Sequence, residues 1–116
     1  MQIRFRFHTH DVHAALDDTP SAHDLLALLP LSLVIEDYAT NEKIAYLPRK
    51  LTELGAAPFQ GEAVGDLCYY APWGNLVFYY DRYRYSSGLI RLGRLIGGVA
   101  PLHSRGKFPL SAERIT

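Results

Sequence analysis

The stretch Gly65-Asp-Leu-Cys-Tyr-Tyr-Ala-Pro-Trp-Gly-Asn-Leu-Val-Phe-Tyr-Tyr80 constrains the fold of this chain more than any other. It carries the only cysteine, the only tryptophan and four of the eight tyrosines. Leu67 to Tyr70 and Leu76 to Tyr80 have the aromatic and apolar content of strands packing on a pleated surface. Between them, Ala71-Pro72-Trp73-Gly74 fits a type I turn, with Pro72 setting φ at the second position and Gly74 closing it. The prediction is a β-hairpin with Trp73 at its tip. The pleat puts Leu76, Phe78 and Tyr80 on one face and Val77 and Tyr79 on the other. Both faces are apolar or aromatic, so the hairpin belongs at the centre of a fold.

The rest of the chain supplies partners for it. Ile3, Phe5 and Phe7 alternate with Arg4, Arg6 and His8, a half-buried strand. Thr9-His10-Asp11 reads as a turn, and Val12, Ala14 and Leu16 resume the alternation. Thr19 is a helix N-cap with Pro20 at the first helical position. Ala22, Leu25, Leu26 and Leu29 follow at helical spacing until Pro30, which predicts a helix over Pro20 to Leu29. Leu31, Leu33 and Ile35 form a third strand, and Ile44 to Leu47 is extended up to Pro48. Arg49 to Ala63 reads as loop, with one helical turn near Lys50 to Leu54. Leu89 to Ile96 is a strand whose Gly93 predicts a bulge or a close backbone approach. Val99 to His103 is read as one helical turn, and Phe108 to Ile115 as a last short strand. Many short strands with one or two short helices predict a mainly β protein, a closed or nearly closed antiparallel barrel.

At 116 residues the expectation is one domain with one core. Twelve basic residues balance twelve acidic ones, so no net field draws the chain to nucleic acid or to an anionic membrane. A single cysteine excludes an internal disulfide and fits a reducing compartment. No apolar run has the form of a signal peptide or approaches the roughly twenty residues that span a bilayer. These observations predict a cytoplasmic protein, a monomer or weak homo-oligomer, with neither nucleic acid nor membrane as partner.

Several longer motifs carry a family resemblance. The order of strands and Pro-started helix near the N-terminus resembles the start of cyclophilins. Leu92-Gly93-Arg94-Leu95-Ile96-Gly97-Gly98-Val99 is similar to the glycine-containing signature after the cyclophilin active-site loop. Gly74-Asn75-Leu76-Val77-Phe78 is similar to the strand lining the proline pocket. Glu36-Asp37-Tyr38, Glu42 to Lys50 and Tyr69-Tyr70-Ala71-Pro72-Trp73-Gly74-Asn75 resemble small bacterial cyclophilin-like proteins without assigned activity. That likeness covers nearly the whole chain and implies an eight-stranded β-barrel with helices over its ends. Cyclophilins isomerise prolyl bonds with an arginine that weakens amide resonance behind a barrier of ~18–20 kcal/mol. Matching the chain through Pro48 puts that arginine position on Ala45 and the strand glutamine on Leu76. The loop histidine falls on Leu89 or Ile90, and Phe78 alone keeps its counterpart. The resemblance therefore implies that the standard isomerase residues are missing.

Five constellations carry possible chemistry. His8, His10 and His13 have spacing that could converge on Zn²⁺ or Ni²⁺, but no cysteine or fourth ligand accompanies them, and outward positions of a solvated hairpin explain them as well. No metal is expected. Arg82-Tyr83-Arg84-Tyr85 interleaves charge and rings as a single-strand nucleic-acid surface does, or as an outer sheet face does. Cys68 reads as a small buried hydrophobe, and Glu36-Asp37 with Glu42 as a solvated turn. The strongest cluster is aromatic: Tyr46, Tyr69, Tyr70, Trp73, Phe78 and Tyr80, with Arg49 as charged neighbour. It fits a concave site for a small, partly anionic or peptide-like ligand, or an aromatic core. The expectation is a cyclophilin-like barrel that binds a small molecule or peptide without a cofactor. A divergent peptidyl-prolyl isomerase and a structural or oligomerisation module are the alternatives.

Overall fold

A computed structural model describes residues 1–115. Among the described residues the strands are β1 (Gln2–Phe7), β2 (His10–Leu16), β3 (Leu31–Tyr38), β4 (Glu42–Tyr46), β5 (Asp66–Tyr70), β6 (Asn75–Tyr79), β7 (Leu89–Ile96) and β8 (Lys107–Ile115). One helix, α1 (Pro20–Leu28), and one 3₁₀ turn (Ala100–His103) accompany them. The strands close into an antiparallel barrel in the order β1-β2-β7-β5-β6-β4-β3-β8, with β8 returning to β1. This is the predicted fold class. Closure removes every free edge that an open sheet of this length would expose.

The barrel interior follows from alternation. Ile3 and Phe5 of β1, Leu67 and Tyr69 of β5, and Leu76 and Phe78 of β6 are buried in one cluster. Phe5 meets Phe78 edge-on, with ring centres 5.0 Å apart at 87°. Each such side chain contributes roughly 1.5–3 kcal/mol on leaving water. The predicted central hairpin is β5–β6, in the register Leu67↔Phe78 and Tyr69↔Leu76. Its turn hydrogen bonds start one residue earlier than a Pro72-centred turn predicts. The Tyr70 carbonyl accepts from Trp73 N at 3.2 Å and from Gly74 N at 2.9 Å. Gly74 then leaves the turn at φ 74°, a conformation glycine adopts without steric cost.

The hairpin's second apolar face packs outside the barrel. Cys68, Val77, Tyr79 and Leu89 form a buried outer cluster covered by Phe59, Tyr70, Tyr83 and Tyr85. The irregular segments before β5 and after β6 are thus a lid on the sheet.

Thr19 caps α1, its hydroxyl accepting from Ala22 N at 3.2 Å. The helix ends at Leu28, one residue before the predicted end, because Leu29 precedes Pro30 and takes an extended ψ of 146°. The predicted helical turn near Lys50 to Leu54 is absent. Side chains take its backbone donors instead: Leu51 N–H donates to the Tyr69 hydroxyl at 3.1 Å and Thr52 N–H to Asp24 at 2.7 Å. β4 begins at Glu42, earlier than the apolar run starting at Ile44 suggests. At Gly93 both predicted features occur. The β5–β7 register slips between Leu67↔Gly93 and Cys68↔Arg91, and a Cβ on Gly93 would lie 2.1 Å from the Ala15 carbonyl oxygen.

Candidate functional site: an aromatic concavity on the outer sheet face

The same pleat that fills the barrel builds a row of side chains outside it. Tyr38 of β3 lies opposite Glu42 of β4, and Glu42 lies opposite Tyr79 of β6. Four residues back along β6, past Val77 on the same face, Asn75 lies opposite Tyr70 of β5. Trp73 from the hairpin turn and Ser86 from the segment before β7 complete a cavity of about 250 Å³, with Val77 in its floor. Trp73 stands at right angles to two tyrosines. Its ring centre is 5.4 Å from that of Tyr38 at 77° and 5.4 Å from that of Tyr70 at 81°. These edge-to-face contacts form the corner of a box, with Tyr38 and Trp73 nearly half exposed at its rim.

The floor is held from behind. Tyr79 stacks on Tyr83 with centres 3.6 Å apart and planes 6° from parallel. The Tyr83 hydroxyl donates to Asp66 at 2.6 Å, and Asp66, wholly buried, also accepts from Ala63 N and Arg94 Nε at 3.0 Å each. Asp66 therefore does more than cap its own turn: it ties the two covering segments to β7. Burial pushes the Tyr83 and Tyr79 hydroxyls up, so both stay protonated, and the charge of Glu42 adds to the effect on Tyr79.

Two polar groups in the cavity wall are incompletely compensated among the described residues: Glu42 has no cation, and Asn75 Oδ1 has no hydrogen-bond donor. Burial raises the Glu42 carboxyl above the ordinary range, although the Tyr79 hydroxyl opposes the shift. Asn75 is 1% exposed, and its Oδ1 has no hydrogen-bond partner among the described residues. Its Nδ2 donates to the Leu76 carbonyl at 3.1 Å.

Of the seven predicted site residues, Tyr70 and Trp73 line this cavity. Tyr69, Phe78 and Tyr80 belong to the barrel's interior cluster. The Tyr80 hydroxyl accepts from Arg105 at 3.0 Å. Tyr46 is exposed on β4 and borders a separate shallow hollow with Val34, Glu36 and Lys107. Arg49 grips Asp24 of α1 through two bonds of 2.8 and 3.1 Å. Adjacent residues such as Tyr69 and Tyr70 must face opposite ways on a strand, so the seven do not converge. Tyr38, Glu42, Asn75, Val77, Tyr79 and Ser86 are the lining residues that sequence reasoning missed. Strict alternation outward from Tyr70 is the signal that would have found Asn75 and Tyr79.

The other constellations resolve into local contacts. His10 Nε2 lies 2.7 Å from Ser104 Oγ, His13 Nε2 lies 3.1 Å from Asp11, and the His8 ring rests near Phe108 at 4.8 Å. Burial pushes the Cys68 thiol up to about 12, the behaviour of a packed hydrophobe rather than a nucleophile. Tyr83 and Tyr85 turn inward onto Tyr79 and Phe59. A larger hollow of about 560 Å³ separates residues 62–64 from 82–84, but its one aromatic ring, Tyr83, is already engaged by Asp66 and Tyr79. Of the positions matched to cyclophilin catalytic residues, Ala45, Leu76 and Phe78 are buried in the barrel's interior cluster, and of the two candidates for the loop histidine Ile90 is interior and Leu89 is in the outer cluster.

No helix among the described residues is long and apolar enough to cross a membrane. No curated protein matches the chain. Its fold is similar to the solution structure of a hypothetical protein from Archaeoglobus fulgidus, with a TM-score of 0.71, 15% identity, and coverage of 99% of this chain and 95% of that one. A family model described as the cyclophilin-like family matches residues 5–113. With nearly its whole length inside that match and its strands closed into one antiparallel barrel, the chain belongs to the cyclophilin-like family.

Proposed function

We propose that the protein is a one-domain binding module that takes a small molecule or a short peptide side chain in the outer concavity of Tyr38, Tyr70, Trp73 and Tyr79. The observation that carries this reading is the Trp73 corner. Two edge-to-face contacts, of Trp73 with Tyr38 and with Tyr70, leave a hollow, where a purely structural cluster would close on itself. Aromatic rings held by stacking and by the Asp66 anchor are preorganised, so little entropy is lost when a ligand enters. Ala45 and Leu76, at the matched arginine and glutamine positions, are buried and apolar and offer no hydrogen-bond donor to a prolyl amide, which supports binding over isomerisation.

Trp73 is the only tryptophan, which makes its emission a reporter of this cavity alone. A screen of metabolites and proline-containing peptides should yield a ligand that both raises the melting temperature and shifts Trp73 fluorescence. Tyr70→Ala should weaken that ligand. A ligand that stabilises the protein without moving Trp73 emission, and binds Tyr70→Ala unchanged, would place the site elsewhere.

A further inference from the structure

We infer that the ligand of this concavity is an organic cation, an alkylated ammonium group held against the rings of Tyr38, Tyr70 and Trp73 and beside Glu42. The inference rests on the binding reading above and adds the charge of what is bound. Arg49 near the aromatic cluster in sequence fits a small, partly anionic or peptide-like ligand. Arg49 is instead committed to Asp24, and Glu42 is the only charged residue lining the cavity.

The other sheltered carboxylates of this protein each have a cation. Asp37 has Lys43, Asp24 has Arg49 and Asp66 has Arg94. Glu42 has none among the described residues, although it is half-buried between Tyr38 and Tyr79. Burial raises its carboxyl above the ordinary range, and only the Tyr79 hydroxyl opposes the shift. Asn75 adds a second uncompensated negative end, since Oδ1 accepts from nothing while Nδ2 is occupied. Both groups are electrostatically unsatisfied in the same sense, so one positive charge in the cavity would relieve both. The walls match that charge. The electron-rich faces of Trp and Tyr attract a cation in a partly desolvated site, and perpendicular rings present several faces or edges to one centre. A bare ammonium or a guanidinium needs several hydrogen-bond acceptors, and beyond the tyrosine hydroxyls the lining offers Glu42, Ser86 and the buried Asn75 Oδ1. Alkylation removes those donors and gives the group apolar surface for the rings.

The test uses choline and its uncharged carbon isostere, 3,3-dimethylbutan-1-ol, titrated against Trp73 emission at constant ionic strength with sodium chloride as control. Choline should bind saturably, and at least about tenfold more tightly than the isostere. Glu42→Gln, checked for native unfolding behaviour, should bring choline down to about the affinity of the isostere. Tyr38→Leu, at an exposed rim position, should weaken choline as well. Equal binding of the two probes, or unchanged choline binding in Glu42→Gln, would overturn the cation assignment while leaving a ligand site in place. No response to choline at concentrations where a proline-containing peptide shifts Trp73 would do the same. If no compound in the wider screen reaches Trp73, the binding reading itself falls.

Discussion

Lys43 and Asp37 are cross-strand neighbours, and the wholly buried Lys43 donates from Nζ to Asp37 Oδ1 at 2.7 Å. The ammonium sits 5.8 Å from the centre of the Phe108 ring, inside the barrel mouth. Asp37 also accepts from Gly106 N at 2.6 Å and lies 3.5 Å from Arg105. One carboxylate thus compensates an interior charge and fastens the segment leading into β8.

Breaking this pair from its two sides should have unequal effects. Asp37→Ala strands a charge in the interior and frees a backbone donor, a loss of about 3–5 kcal/mol. Lys43→Met removes the charge and keeps the volume, and should cost less than half as much because Asp37 retains Gly106 and Arg105. Urea denaturation of both variants measures the difference, and equal losses would show that the pair is not limiting.

The pH dependence of stability has two opposed contributions. Burial works against ionisation of Asp37, but the Lys43 hydrogen bond, the Gly106 amide and the charges of Lys43 and Arg105 outweigh it and hold its carboxyl below the ordinary range. Its contribution is therefore present above about pH 4 and is lost as pH falls through the depressed value. Glu42 has a raised pKa, so its contribution is complete below about pH 4 and is lost as pH rises through the raised value. Glu42→Gln should accordingly be more stable than the wild-type protein at pH 7, with the gain vanishing near pH 4. Thermal unfolding across pH 3–8 checks this. A destabilised Glu42→Gln at pH 7 would contradict the burial cause.

Gly93→Ala should destabilise the barrel by about 3 kcal/mol or more. The added methyl would meet the Ala15 carbonyl oxygen at 2.1 Å and Leu16 Cα at 2.8 Å, both backbone atoms that cannot rotate away. Gly97→Ala, where nothing lies within 4 Å, has no such clash and differs only in its φ of 86°. The urea midpoints of the two variants give the comparison.

Prolyl isomerase activity on standard peptides should be at most marginal. Removing a single preorganised donor typically costs a factor of about a hundred to a thousand in rate. Here the matched arginine and glutamine positions are Ala45 and Leu76, both inside the barrel. Arg49, the nearest substitute in sequence, is bound by Asp24. A protease-coupled assay on a proline peptide measures the rate directly. Turnover at the level of a cyclophilin, abolished in Arg49→Ala, would restore the enzyme reading.

Local rules, read from the chain alone, determined the strand alternation, the β5–β6 hairpin, the Thr19-capped helix and the close approach at Gly93. The first three depend on residues near one another in sequence, and a glycine inside a strand pattern marks the fourth, although the backbone it makes room for is that of Ala15 and Leu16. That the hairpin had two apolar faces was also legible, but not that the outer one would be covered by Phe59, Tyr83 and Tyr85. That covering comes from segments with no periodicity, which composition cannot aim. The site was legible only in Tyr70 and Trp73. Apart from Ser86, its remaining members come from β3, β4 and β6, and their meeting depends on barrel register, which puts Tyr38 beside Glu42 and Glu42 beside Tyr79. Register also decided the fate of the charges. Glu36-Asp37 and Glu42 look alike in sequence as acidic turn residues, yet the pleat sends Asp37 to an interior lysine and Glu42 to an aromatic wall. A carboxylate's partner is set by which face and which neighbouring strand it meets, and those are properties of the closed barrel.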